Sequence, residues 1–166
     1  MGCSGSGKST LARALSTKLD LPYISMDRSF FWLPGWILRE QSTIRLMVAE
    51  AVEAERWIMD GTGLNTFDLR LPRTDVVLWL RMPRMTCFVG VLRRWVHYWR
   101  QSRPDMADGC PERLDIEFLR YIWNFERVQT PEIKEKLMRY AQSARVFELR
   151  SRIELNALLQ QISHHP

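Results

Sequence analysis

Segments with strand and helix character alternate along this chain and predict an α/β domain built on a parallel sheet. Three observations carry that expectation. A glycine-rich loop, Gly2-Cys3-Ser4-Gly5-Ser6-Gly7-Lys8-Ser9-Thr10, runs directly into helical periodicity at Leu11, Ala14, Leu15 and Leu19. Two short apolar runs, Trp57-Ile58-Met59 before Asp60-Gly61 and Val76-Val77-Leu78-Trp79-Leu80 before Met82-Pro83, read as buried parallel strands. Ser151-Arg152-Ile153-Glu154 is a capping box that opens a final helix with Leu155, Leu158, Leu159 and Ile162 turned inward.

The elements between follow in order. Leu21 to Met26 reads as a strand ending at Asp27, and Phe30 to Trp36 is an aromatic segment turned by Pro34-Gly35. From about Glu40 to Glu55, Ile44, Met47, Val48, Ala51 and Val52 recur at helical spacing. Thr86 to Arg100 is amphipathic through Phe88, Leu92, Trp95 and Trp99, and 104–111 is loop. Leu114 to Val128 is helical, and Pro131 is expected to begin a separate helix to about Gln142, because proline suits a first helical turn. Ala144 to Leu149 returns as a strand. Neither repeats nor low-complexity segments interrupt the pattern.

Length and composition place the chain among single globular domains, expected to span 1–166. Lys and Arg total 24 against 19 Asp and Glu, a net +5 that favours anionic partners such as nucleotides and permits a weak DNA association. Cys3, Cys87 and Cys110 show no C-x-x-C spacing and no histidine cluster, so neither a disulfide framework nor a zinc site is expected and a cytoplasmic setting fits. No apolar run approaches the ~18 residues of a membrane span, so no membrane partner is expected.

The opening loop matches G-x-x-x-x-G-K-[ST], in which glycines let backbone N–H groups curl around phosphate, the lysine offsets its charge and the hydroxyl holds Mg²⁺. A nucleoside triphosphate is therefore the expected ligand. Gly2, Ser4, Gly5, Ser6 and Gly7 shape its seat; Lys8 and the amides of residues 5 to 9 face the β- and γ-phosphates; Thr10 approaches the α-phosphate; Ser9 ligates Mg²⁺. Such a loop normally hangs from a buried strand, which Met1 alone does not supply.

The loop, Ile24-Ser25-Met26-Asp27, and Ile58-Met59-Asp60-Gly61 ahead of Leu71-Pro72-Arg73-Thr74-Asp75 together resemble the adenylate-kinase-like branch of P-loop proteins. More narrowly, Asp27 with Phe31-Trp32-Leu33-Pro34-Gly35-Trp36, Asp68-Leu69-Arg70-Leu71-Pro72-Arg73, and Phe118-Leu119-Arg120-Tyr121-Ile122-Trp123 look like the bacterial proteins labelled DNA topology modulation protein, FlaR-related. The resemblance implies a three-layer P-loop NTPase fold, ATP binding and kinase-like chemistry more firmly than any substrate. A glycine-arginine lid motif and an AMP-binding arginine set are not intact, so AMP is not the expected acceptor. The resemblance also implies a central strand ahead of the loop, and that first strand is expected to be missing from this sequence.

Phosphoryl transfer needs positioning and charge neutralisation more than covalent help. Asp60 is a candidate to orient Mg²⁺ through water, or a strand-end carboxylate in a turn. Asp27 is a candidate general base toward an acceptor hydroxyl, or a helix N-cap. Phe31, Trp32 and Trp36 offer a stacking surface for a planar acceptor, or plain core. Arg70 and Arg73 offer a clamp for an acceptor phosphate, or solvated charge. The resemblance places Arg93, Arg94, Arg100 and Arg103 on or beside a lid-like segment at about 100–113, with Arg94 and Arg103 as catalytic candidates; the plain alternative is the polar face of a helix. The expected activity is Mg-dependent phosphoryl transfer from ATP to a small-molecule acceptor of unidentified kind, and the alternative is a nucleic-acid-associated ATPase or regulator that affects DNA topology.

Overall fold

In a computed structural model, which describes residues 1–163, helices and strands alternate as an α/β arrangement with small, mostly parallel sheets. The helices are α1 (Lys8–Leu19), α2 (Gln41–Ala51), α3 (Phe67–Arg70), α4 (Arg84–His97), α5 (Ile116–Tyr140) and α6 (Arg152–Ser163). The strands are β1 (Tyr23–Ser25), β2 (Trp32–Leu33), β3 (Ile37–Leu38), β4 (Ile58–Asp60), β5 (Val76–Leu80) and β6 (Arg145–Leu149). Among the described residues no helix is long and apolar enough to cross a membrane.

Strand pairing follows the sequence pattern in part. β1 pairs with β4 in parallel, Ser25 opposite Asp60, and β5 pairs with β6 in parallel, Val76 opposite Arg145 and Leu80 opposite Leu149. These two pairs are not joined into one sheet. Between them stands only a start of strand: the Met1 ammonium donates to Leu78 O at 2.8 Å, Leu80 N–H donates to Met1 O at 2.9 Å, and Gly2 bridges Leu80 in parallel. Gly2 is fastened on its other side by Thr62, whose hydroxyl accepts from Gly2 N–H at 3.1 Å and donates to Gly2 O at 3.0 Å.

The main core gathers α1 (Leu11, Leu15), β5 (Val77, Trp79, Leu80), α4 (Cys87, Val91) and α5 (Ile122, Phe125, Ile133, Leu137). A second cluster, Met26 and Phe30 with Ile44, Val48 and Val52, seats α2 against the end of β1. The aromatic segment is more ordered than a simple turn: a wide π-type turn over Asp27–Phe31 leads into the antiparallel hairpin of β2 and β3, closed around Gly35.

One boundary differs from expectation. α5 runs unbroken from Ile116 to Tyr140 with Pro131 inside it, where the sequence predicts a new helix. An internal proline removes a helical hydrogen bond and crowds the carbonyl four residues back, at a cost of roughly 3 kcal/mol. Burial of Phe125, Thr130, Ile133 and Leu137 on one continuous stripe across the proline outweighs that loss. Pro131→Ala is therefore expected to stabilise the fold by about 1–2 kcal/mol, after the looser unfolded chain is subtracted. A urea unfolding midpoint that stays put or falls would instead mark Pro131 as a helix start.

Candidate functional site

The phosphate-loop sequence is followed at once by α1, and Gly7 at its N-cap is left-handed (φ 94°) with no side chain capping the helix. The first-turn N–H groups of such a helix have no intrahelical acceptor and carry the positive end of the dipole, which is the local requirement for seating an anion. Ser6 Oγ, fully buried in the loop, finds no hydrogen-bond partner among the described residues. These residues fit a bound triphosphate: the loop N–H groups and Lys8 would hold its phosphates.

Helix α4 is pressed against this loop through two glycines. A Cβ on Gly90 would lie 2.2 Å from Gly5 O, and one on Gly5 would lie 2.1 Å from Cys87 O, so backbone meets backbone there. Arg94 sits one turn beyond Gly90 on the same face. It is thereby carried to a pocket of about 230 Å³ that Ser4 of the loop lines together with Asp27, Trp32, Arg94, Arg103 and Glu112. A glycine inside an otherwise amphipathic helix was the sequence signal for this contact.

A buried charge cluster forms the wall of that pocket. Arg103 is only 9 % exposed and reaches Asp27 at 3.6 Å, Asp105 at 3.8 Å and Glu112 at 3.5 Å. Arg94 donates through Nε to Glu112 at 2.8 Å, with Nη2 2.6 Å from the same oxygen. Burial and the neighbouring Arg103 pull the Arg94 pKa down, against the pull of Glu112. Asp105 accepts from Arg13 on α1 at 3.0 Å. Burial pushes the Asp105 pKa up, but Arg103, Arg13 and a hydrogen bond with Ser9 outweigh it and hold the carboxyl below its ordinary value.

The lid-like segment lies docked. Met106, Ala107 and Cys110 pack against Trp32 and Trp36. Ser25 Oγ donates to Asp105 O at 2.7 Å, Gly35 N–H to Gly109 O at 3.0 Å and Trp36 Nε1 to Pro111 O at 3.1 Å. Arg113 stands over the Trp36 ring at 4.4 Å. Trp32 and Trp36 thus hold the 106–111 segment as well as lining the pocket.

Other expected site residues are distributed differently. Ser9 meets Asp105, while Asp60, 5 % exposed, accepts from the Tyr23 hydroxyl at 3.4 Å and lines a separate, larger cavity together with Lys8. Arg70 departs from the clamp role: it is buried and donates to Thr66 Oγ1 and to the carbonyls of Gly61, Thr62 and Gly63, so it holds the loop after β4. Burial lowers its pKa to about 10, which leaves it charged at neutral pH. Arg73 is on the surface beside Glu53 at 3.4 Å, and Arg93 and Arg100 are exposed. Phe31 packs with the α2 cluster. Arg13, Asp105 and Glu112 were missed by sequence reasoning, as was Arg152, whose guanidinium lies against Gly7 of the loop. The only hint was a pair of acids at two and nine positions after Arg103 in a loop.

No family model matches this chain, and neither the curated proteins nor the solved structures contain a match to it.

The depressed Asp105 pKa fixes the sign of a pH effect. A carboxyl ordinarily at 3.8 and lower when folded stabilises the fold above that value and loses the contribution as pH falls through the folded value. The stability difference between wild type and Asp105→Asn is expected to be constant from pH 7 to pH 5 and to shrink as pH falls below 3.8 and on through the lower folded value, followed by denaturant unfolding. A difference independent of pH across that range would contradict the assignment.

Proposed function

We propose that this chain is a P-loop NTPase of the adenylate-kinase-like, three-layer kind, acting in the cytoplasm as a Mg-dependent phosphotransferase from ATP to a small-molecule acceptor. The observation that carries the reading is the shared pocket: Ser4 of the loop lines the same small space as Asp27, Arg94 and Arg103. The start of the loop thus adjoins Asp27, Arg94 and Arg103, which supports a donor and an acceptor held side by side, as phosphoryl transfer requires.

The roles follow from the chemistry of each group. The amides of residues 5 to 9, Lys8 and Thr10 would bind the phosphates, and Ser9 would ligate Mg²⁺ with Asp105 as the carboxylate next to it. Bound Mg-ATP supplies the transferable phosphoryl group and its charge neutralisation. Asp27, half-buried at the pocket wall, accepts the proton of the acceptor hydroxyl at its carboxylate oxygen. Arg94 and Arg103 present positive charge where the phosphoryl group's negative charge accumulates, and their low exposure excludes water that would otherwise compete with the acceptor. Trp32 offers a flat apolar wall, which favours an acceptor with a planar or apolar portion near its hydroxyl. Arg70 supports the neighbouring loop.

A screen of nucleosides, nucleotides, sugars and vitamins for acceptor-stimulated ADP release tests the reading. At least one acceptor is expected to stimulate release, and Lys8→Ala is expected to lower that stimulated rate by roughly 10²-fold or more. ADP release that no acceptor changes, or that Lys8→Ala leaves intact, would overturn it.

A further inference from the structure

The positive groups around the phosphate loop divide into two sets. Arg13, Arg94 and Arg103 face Asp27, Asp105 and Glu112, so these guanidiniums are matched by carboxylates within the protein itself. Lys8 and Arg152 have no hydrogen-bonded or ion-paired partner among the described residues.

The fold brings those two unmatched cations to one place. A Cβ on Gly7 would lie 2.5 Å from Arg152 Nη1 and 3.2 Å from its Cζ and Nη2, so the guanidinium rests against the backbone of the residue before Lys8. Both charges also act on one buried thiol: a hydrogen bond with Cys3, and then Lys8 and Arg152, hold the Cys87 pKa below its ordinary value against the effect of burial. Local structure fixes the position. Arg152 opens α6, where Ser151 Oγ accepts from Glu154 N–H at 3.2 Å, and the Glu154 carboxylate accepts from Arg150 N–H at 2.8 Å and from the Ser151 hydroxyl at 3.0 Å. The capping box thus pins the turn that carries Arg152, and the buried Leu155 anchors the helix one turn on.

This placement is unfavourable for the protein alone. An arginine in the first turn of α6 stands at the positive end of that helix, and contact with Gly7, the N-cap of α1, sets it at the positive end of a second. Lys8 adds a like charge, and Ser6 Oγ stays buried in the loop without a partner. Free first-turn N–H groups, a buried hydroxyl and two cations without carboxylates are together complementary to a polyanion.

We propose that Arg152 is a second cationic residue of the phosphate seat, binding the polyphosphate of a nucleoside triphosphate beside Gly7 together with Lys8. Its guanidinium donates to phosphate oxygens as a planar fork, whereas Lys8 acts as a point charge. Arg152 thereby serves the binding of the donor, while Arg94 and Arg103 stay tied to their carboxylates at the pocket wall. The inference rests on the reading of residues 2–10 as a phosphate-binding loop and on no choice of acceptor.

Isothermal titration calorimetry of the full chain with inorganic tripolyphosphate and with ATP, both without Mg²⁺, tests it. Arg152→Ala is expected to weaken both ligands by the same factor, about tenfold or more. Arg152→Glu is expected to weaken both further, and Arg152→Lys, which keeps the charge, to lose less than the alanine variant. Arg150→Ala is the control: that guanidinium is already held by Glu148 at 2.6 Å, and its loss is expected to leave both affinities unchanged. Three results overturn the inference: unchanged affinity of Arg152→Ala for both ligands, weakening of ATP alone, which puts Arg152 on the base, or an equal loss in Arg150→Ala, which reduces the effect to surface charge. Failure of the loop reading looks different. The wild type then binds neither ligand, or binds both equally well after Lys8→Ala, and the inference falls with it.

Discussion

Arg103 and the carboxylates around it are the constraint on which the candidate site depends. One guanidinium faces Asp27 at the end of β1, Asp105 within the lid-like segment and Glu112 at the far end of that segment, while Arg13 and Arg94 reach the same carboxylates from α1 and α4. Charges this deeply placed are tolerated only when paired, and removing one partner of a buried pair costs about 3–5 kcal/mol. The 103–112 segment therefore docks in one register, and α1, β1 and α4 are held at fixed positions relative to it.

That constraint works together with a purely steric one. The approach of Gly90 to Gly5 leaves no room for a side chain, so α4 follows the phosphate loop wherever the loop sits. Arg94 then reaches the pocket wall without help from any loop of its own. The pocket is thus built from rigid elements on one side and, on the other, the 103–112 segment held by charge to Arg13, Arg94 and Arg103.

Much of the fold was legible in the sequence because the signals were local. The apolar run Val76–Leu80 is a strand with the bounds its sequence gives, and Glu154 N–H donates to Ser151 Oγ at 3.2 Å as the capping box requires. Pro131 misled because its local cost is outweighed by a burial stripe that only the folded neighbours define. Arg70 misled because three of the four groups it satisfies are backbone carbonyls of a glycine-containing loop, which leave no side-chain pattern to read. Asp105 and Glu112 were invisible for a related reason: their value comes from arginines brought together by topology, Arg13 lying 92 residues from Asp105. Asp27, named from its place at a strand end, and Arg94 and Arg103, named from the resemblance, do converge on one pocket, whereas Lys8 and Asp60 line the neighbouring cavity.

The central claim is that the phosphate loop and the lid-like segment form one site, coupled through the Arg103 cluster. Amide hydrogen exchange with and without Mg-ATP tests it most directly. The account predicts that nucleotide slows exchange in residues 2–10 and in residues 103–112 together, with α2 unchanged. Protection confined to the loop, or none in either segment, would contradict it.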